Sequence, residues 1–263
     1  MKNNTSVIVI SCDKYSDLWK PFFTLFWQYW PINTSKVYLG SNFLKYNDSR
    51  VETITIGEDK NWSHGLLEIV KRIDTPYIIL MLEDFFLRKR VNINDILMCV
   101  EALKNLDGNM LRLVPRPRPY KPVKGYPFLG YIKSTSPFRV STQGTLWRKS
   151  ALLSLIKDGE SIWEFELNGT ERSRDDKGYY CVWKPVLTYE HHVIERGKWF
   201  RSEARKFGAM NIGCDFSRRP IMSMKETFIW HIKKLISYPQ SLVPWLLRQK
   251  IKKRIKNQIS SIQ

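Results

Sequence analysis

Two adjacent carboxylates, Glu83 and Asp84, follow directly on the apolar run at residues 76–82 (PYIILML). A run this short and apolar predicts a buried strand. Unpaired carboxylates are costly to bury, so the pair belongs at the strand's end. There it suits a hard cation such as Mg2+ or Mn2+, which prefers oxygen ligands, or the hydroxyls of a sugar. The structural alternative is an acid pair ahead of a helix that begins near Asn92 or Asn94. A second acid cluster, Glu164 and Glu166, lies in WEFEL. In a strand the two would share one face; at the start of a helix they would be near neighbours, and at the surface they would pair with Arg172 or Arg174. His191 and His192 are two of only four histidines and sit in EHHVIERGKWF, beside Arg196, Lys198 and Arg201.

The elements that must position these groups alternate. Residues 6–11 (SVIVIS), 36–41 (KVYLGS), 51–57 (VETITIG) and 76–82 read as strands; residues 18–30, 63–72 and 94–106 read as helices, with Ser63 a candidate N-cap. This spacing predicts an α/β fold with a mostly parallel, Rossmann-like central sheet covered by helices on both faces. Ligands in such sheets bind at the carboxyl ends of the strands. Cys12-Asp13-Lys14 and Glu83-Asp84 would share that edge. Residues 115–137 are proline-rich but interleaved with aromatics, which predicts an ordered loop over a site. A strand and a helix are expected within 138–156, and a further strand over 181–189.

Composition narrows the class. The chain has 263 residues, 43% hydrophobic and 13% aromatic, which excludes a disordered, collagen-like or disulfide-scaffold chain. Cys12, Cys99, Cys181 and Cys214 are scattered without metal-ligand spacing and read as reduced thiols. The first apolar run is too short for a signal peptide, and no stretch reaches the ~18 apolar residues of a membrane span, so a cytoplasmic protein is expected. The net charge is +18, which points to a polyanionic partner. Residues 218–263 hold 11 Lys/Arg against one acid, and the preceding 217 residues hold 32 against 24. More than half of the excess therefore lies in the last sixth of the chain.

The stretches VIVISCDKYSDLW, GEDKNWSHGLLEIVKRIDTPYIILMLEDFFL, QGTLWRKSAL and WEFEL together resemble glycosyltransferases of the glycosyltransferase A fold, in particular those of bacterial surface-polysaccharide and lipopolysaccharide assembly. The resemblance spans roughly residues 6 to 200. It implies a nucleotide-diphosphate-sugar donor and a D-x-D-type motif at the end of a central strand, binding metal and the donor pyrophosphate. Here that stretch is Leu82-Glu83-Asp84-Phe85, so only Asp84 matches the second acid. A metal-free variant would neutralise the pyrophosphate with cations instead, and Arg88, Arg112, Arg116 and Arg118 are nearby. The resemblance further implies Asp13 and Asp59 as base or ribose contacts, with capping of a turn the alternative for Asp13. Glu83 and Asp84 fall on the donor side, and Asp84, His191 and His192 are the candidate metal ligands. Arg196 and Lys198 would grip the departing diphosphate. Glu164, with Glu166 in reserve, would be the base of an inverting transfer. Trp147 is either a sugar platform or core.

The domain reading follows: a catalytic domain over 1–217, with a donor half of about 1–114 and an acceptor half of about 115–217, and a basic amphipathic helical tail over 218–263. The tail, expected as two helices broken near Pro239 or Pro244, suits an anionic membrane surface and hence a polysaccharide or lipid-linked saccharide acceptor at the inner face of the membrane. The competing readings are a nucleic-acid-binding protein whose tail tracks phosphates and a two-carboxylate glycoside hydrolase. The body carries no nucleic-acid module, and a nucleotide-type sheet argues against the hydrolase.

Overall fold

The computed structural model describes residues 4–31, 35–58, 60–116 and 118–242. The first strand, β1 (Thr5–Ile10), is buried along its whole length. It pairs in parallel with β2 (Val37–Ser41) on one side and β4 (Tyr77–Leu82) on the other, and β3 (Val51–Thr55) adds in parallel outside β2. Strands buried on both faces need apolar residues on both, which is why β1 and β4 read as continuous apolar runs.

The second half of the sheet is mixed. β8 (Thr145–Arg148) runs antiparallel between β4 and β5 (Met110–Arg112), and β9 (Tyr179–Val182) is parallel to β5. β7 (Tyr126–Tyr131) and β6 (Lys121–Val123) finish the nine-strand order β3-β2-β1-β4-β8-β5-β9-β7-β6. The proline-rich stretch expected as a loop is therefore largely an edge hairpin. Proline tolerates that position because an edge strand can spare a donor.

Alternate residues of each strand feed two cores. Val7, Val9, Ile79 and Met81 join the layer under α1 (Trp19–Tyr29) and α3 (Ile93–Asn105), where Phe22, Phe23 and Phe26 pack. Ile8, Ile10, Ile78 and Leu80 join the opposite layer, under α2 (Trp62–Lys71), α4 (Lys149–Leu155) and α5 (Ile162–Arg172). Gly40 of β2 allows this second layer to close, since a Cβ there would run into the Ile69 side chain. The N-cap of α2 is Asn61, whose Oδ1 accepts from the His64 N–H at 2.8 Å; Ser63, expected as the cap, lies one residue inside the helix.

A short hairpin, β10 (Ile194–Glu195) and β11 (Lys198–Trp199), precedes α6 (Arg201–Ala209) and α7 (Met224–Leu242). The helix runs through Pro239, where a break was expected; the rest of the tail, Pro244 included, lies outside the described residues. The segment just after residue 217 is built into the body. Arg219 enters a buried ion pair with Asp17 (Nε to Oδ2 2.9 Å, Nη2 to Oδ1 3.0 Å) in the turn Asp13–Leu18. It also donates to the carbonyls of Lys14 (2.8 Å) and Gly197 (3.2 Å) and lies over the Tyr15 ring at 4.3 Å. Among the described residues, no helix is long and apolar enough to cross a membrane.

Removing one partner of a buried pair strands the other charge. Arg219→Ala is expected to destabilise the protein by about 3–5 kcal/mol in urea denaturation. The double variant Asp17→Asn/Arg219→Met should lose clearly less. Equal losses would show that packing, not the stranded charge, sets the cost.

Candidate functional site

Parallel registry brings the ends of β1, β2 and β4 to one edge, with Ile10 level with both Gly40 and Leu82. Beyond that edge lies a cavity of ≈ 1110 Å³. Its floor holds Cys12, Asn42, Glu83 and Asp84; its second wall holds Arg112, Arg116, Ser141, Thr142, Trp163 and Glu166; its third holds His191, His192, Glu195 and Arg196.

The acid pair sits where the apolar run predicted, with Glu83 buried and Asp84 half-buried. Among the described residues Asp84 Oδ1 has no hydrogen-bond partner, and burial pushes its carboxyl up to about 7. Glu83 is held well above the usual carboxylate range, first by burial and then by Asp84. Both acids therefore carry protons at pH values where a surface carboxyl would not.

Arg112, at the end of β5, lines the same cavity. It is fully buried, its guanidinium donates to the carbonyls of Arg116 and Arg139, and its Nε is unpartnered. Burial lowers it to about 10, so it stays charged at neutral pH. The sequence signal was a charge inside an apolar strand, LRLV. His191, tilted against Tyr189 with ring centroids 4.5 Å apart, is lowered to about 4 by burial and then by Arg116. It is neutral at pH 7. His192 is lowered by burial and then by Lys234.

The Glu164/Glu166 pair is resolved by the helix. WEFEL is helical, so the two are neighbours around α5 and do not share a strand face. Glu164 is exposed and closes a capping box: its Oε2 accepts from the Ser161 N–H (2.9 Å) and hydroxyl (2.8 Å), while Ser161 Oγ accepts from the Glu164 N–H. Those bonds hold its carboxyl below the usual range. It does not line the cavity, and the base expected there is instead a helix cap. Glu166 does line it. Glu166 Oε1 accepts from the Ser141 hydroxyl (3.0 Å), the Thr142 N–H (2.7 Å) and the Thr142 hydroxyl (2.9 Å). Oε2 takes no hydrogen bond from the described residues.

Other candidates fall differently. The Asp13 carboxylate accepts from the backbone N–H of Asn42 (3.1 Å), Phe43 (3.1 Å) and Leu44 (3.2 Å). It clamps the loop that brings Asn42 to the cavity and does not line the cavity itself. Asp59 lies outside the described residues. Lys198 is on a neighbouring groove, paired with Glu226 at 2.5 Å. Arg88 pairs with Glu190 at 3.0 Å, away from the cavity. Trp147 is fully buried and belongs to the core. Sequence reasoning missed Asn42, Ser141 and Thr142, which carry no motif of their own, and the rim aromatics Trp163 and Phe138.

A divalent cation fits this donor set poorly. Asp84 offers one unpartnered oxygen and two neutralised histidines share the cavity. Among the described residues, however, no group of three or more His, Cys, Asp or Glu side chains gathers to hold a metal.

No family model and no curated protein matches the sequence. Among solved structures, the chain is similar to the mannosyltransferase PcManGT from Pyrobaculum calidifontis, in complex with GDP-Man and Mn2+, with 11% identity over 75% of this chain and 59% of that one at a TM-score of 0.48. It is also similar to TarS 1-349 from S. aureus in complex with UDP-GlcNAc, with 10% identity over 69% and 58% at 0.44. A mycobacterial protein aligns with 11% identity over 84% and 76% at 0.43. The chain spans less than two thirds of the first two. Likenesses of this order carry no activity across, and the reading of function rests on the cavity.

The raised Asp84 pKa has a pH signature. With both folded and unfolded carboxyls protonated, burial carries no ionisation penalty. The penalty grows as pH rises from the ordinary value of 3.8 to about 7 and is constant above. Asp84→Asn is therefore expected to gain stability over the unsubstituted protein across that window. Thermal melts at several pH values check it, and a pH-independent difference would refute it.

Proposed function

We propose that the chain is an inverting glycosyltransferase that moves a sugar from a nucleotide-diphosphate donor to a polysaccharide or lipid-linked saccharide acceptor. The observation that carries this reading is Glu166: a buried carboxylate in the strand-end cavity, held through Oε1 by three donors and leaving Oε2 without a bond. Fixed orientation of this kind is what a general base requires.

In the proposed step, Oε2 takes the proton of the acceptor hydroxyl. The acceptor oxygen bonds to the anomeric carbon from the face opposite the leaving group. The bond from that carbon to the diphosphate oxygen breaks, and the nucleoside diphosphate leaves with the electron pair. Arg116 and Arg196 line the same cavity and supply positive charge for the leaving group, with Arg112 behind them. Burial raises the Glu83 and Asp84 carboxyls, which lessens their repulsion against the diphosphate. His191 and His192 keep their place beside it as neutral hydrogen-bonding groups.

Residues 1–217 are the proposed catalytic domain, its donor half ending near 114; the basic segment from 218 starts tied to that body through Arg219 and is proposed to meet an anionic membrane surface at the cytoplasmic face. Met224, Phe228 and Ile232 are exposed at i, i+4 and i+8 along α7, between lysines. That pattern supports an interfacial helix. No observation favours the nucleic-acid alternative.

A panel of nucleotide sugars, with and without Mn2+, should raise the melting temperature for at least one donor. No stabilisation by any would sink the reading. Glu166→Gln keeps an acceptor at Oε1 but not the base; it should bind that donor normally and lose ~10²–10⁴-fold in turnover. Full turnover by this variant would remove Glu166 from the mechanism.

A further inference from the structure

A second concavity lies beside the cavity just described. This groove, ≈ 580 Å³, runs between the β10–β11 hairpin and α7 and shares His192, Glu195 and Arg196 with the larger cavity. We propose that it is the subsite for a phosphate ester carried by the saccharide acceptor, separate from the donor's own diphosphate. The inference rests on the transferase reading above and names the acceptor's class.

Charge is the first argument. Arg196, Lys198, Lys233 and Lys234 line the groove against two acids, Glu195 and Glu226. Both acids are engaged within the protein. Glu226 takes Lys198 at 2.5 Å and the Ser223 N–H at 2.8 Å, and Glu195 lies 4.0 Å from Arg196 Nε and 3.6 Å from His192 Nδ1. Four cations against two acids give the groove a net positive charge, and an anion is its complement.

The second argument is the floor. Trp230 is wedged between His192 and Phe200, with ring centroids 5.1 and 4.9 Å away, and the Lys234 ammonium sits 4.6 Å over its face. The cation–π contact with this packed indole holds the Lys234 charge at the groove.

The third is strain. Arg196 and Gly197 form the two-residue turn of the hairpin with φ of 52° and 77°. Such turns favour Asn, Asp or Gly at the first position, and a long side chain in the left-handed region is costly. The strained arginine is also the cation common to both concavities. It stands on the ridge where an acceptor phosphate and the donor's leaving group would be bridged.

The test uses the full chain and titration calorimetry with glucose 1-phosphate as the phosphate-bearing probe and glucose as its neutral control. The proposal expects glucose 1-phosphate to bind more tightly than glucose. Lys233→Ala/Lys234→Ala should weaken it at least tenfold, a larger loss than Arg116→Ala in the larger cavity causes. Equal affinity for the double variant and the unsubstituted protein overturns the proposal. So does a loss confined to Arg116→Ala, or no preference for the phosphorylated sugar. If the two lysines affect only binding to phosphatidylglycerol vesicles, the groove serves a lipid headgroup and the acceptor proposal fails. Nucleotide-sugar stabilisation on the same proteins separates the levels. Its absence everywhere counts against the transferase reading, and its presence with an unaltered glucose 1-phosphate affinity counts against the groove alone.

Discussion

The bond on which the site's construction depends is the buried pair of Arg219 and Asp17. It joins residues 202 positions apart. One guanidinium satisfies Asp17, reaches the Lys14 and Gly197 carbonyls and covers Tyr15. The turn after the first strand, the late hairpin and the approach to α7 are thereby fixed to one another. Each of these contributes a wall: Cys12 and Tyr15 from the first, Glu195 and Arg196 from the second, and the groove-lining face from the third. A neutral or shorter side chain at 219 could not serve three segments at once, because the fork geometry of arginine supplies the separate donors.

Within those walls the charges are arranged by burial more than by pairing. Burial shifts the two acids at the end of β4 toward their protonated forms and His191 toward its neutral form. Arginine alone resists such neutralisation, because its pKa begins so high that even full burial at position 112 leaves it charged. Those shifts lean the cavity toward positive charge.

How much of this was readable in advance depended on the range of the interactions involved. The parallel strands showed themselves because burial on both faces leaves no polar position in VIVI or IILML, and their ends located Glu83 and Asp84. The choice between Glu164 and Glu166 could not be made from WEFEL, since it turns on whether the segment is helical and on which hydrogen bonds the Ser161 cap claims. Asp13 and Lys198 were found as charged residues in the right neighbourhood, yet their partners, the loop at 42–44 and Glu226, lie far off in sequence. Asn42, Ser141 and Thr142 are ordinary polar residues whose part comes wholly from the strand ends they follow. Pro239 signalled a break that the helix does not make.

The sheet also separates the two sides of the site mechanically. Glu166 rides on α5, whose Phe165 is anchored in the layer beneath α2 and α4, whereas the ridge bearing Arg196 is anchored through Ile194 and Trp199 in the layer on the opposite face. The sheet is thus the fixed jaw of a vice with two independent screws. Repacking one layer would move Glu166 or the cationic ridge without moving the other, so the two sides of the cavity can be adjusted separately.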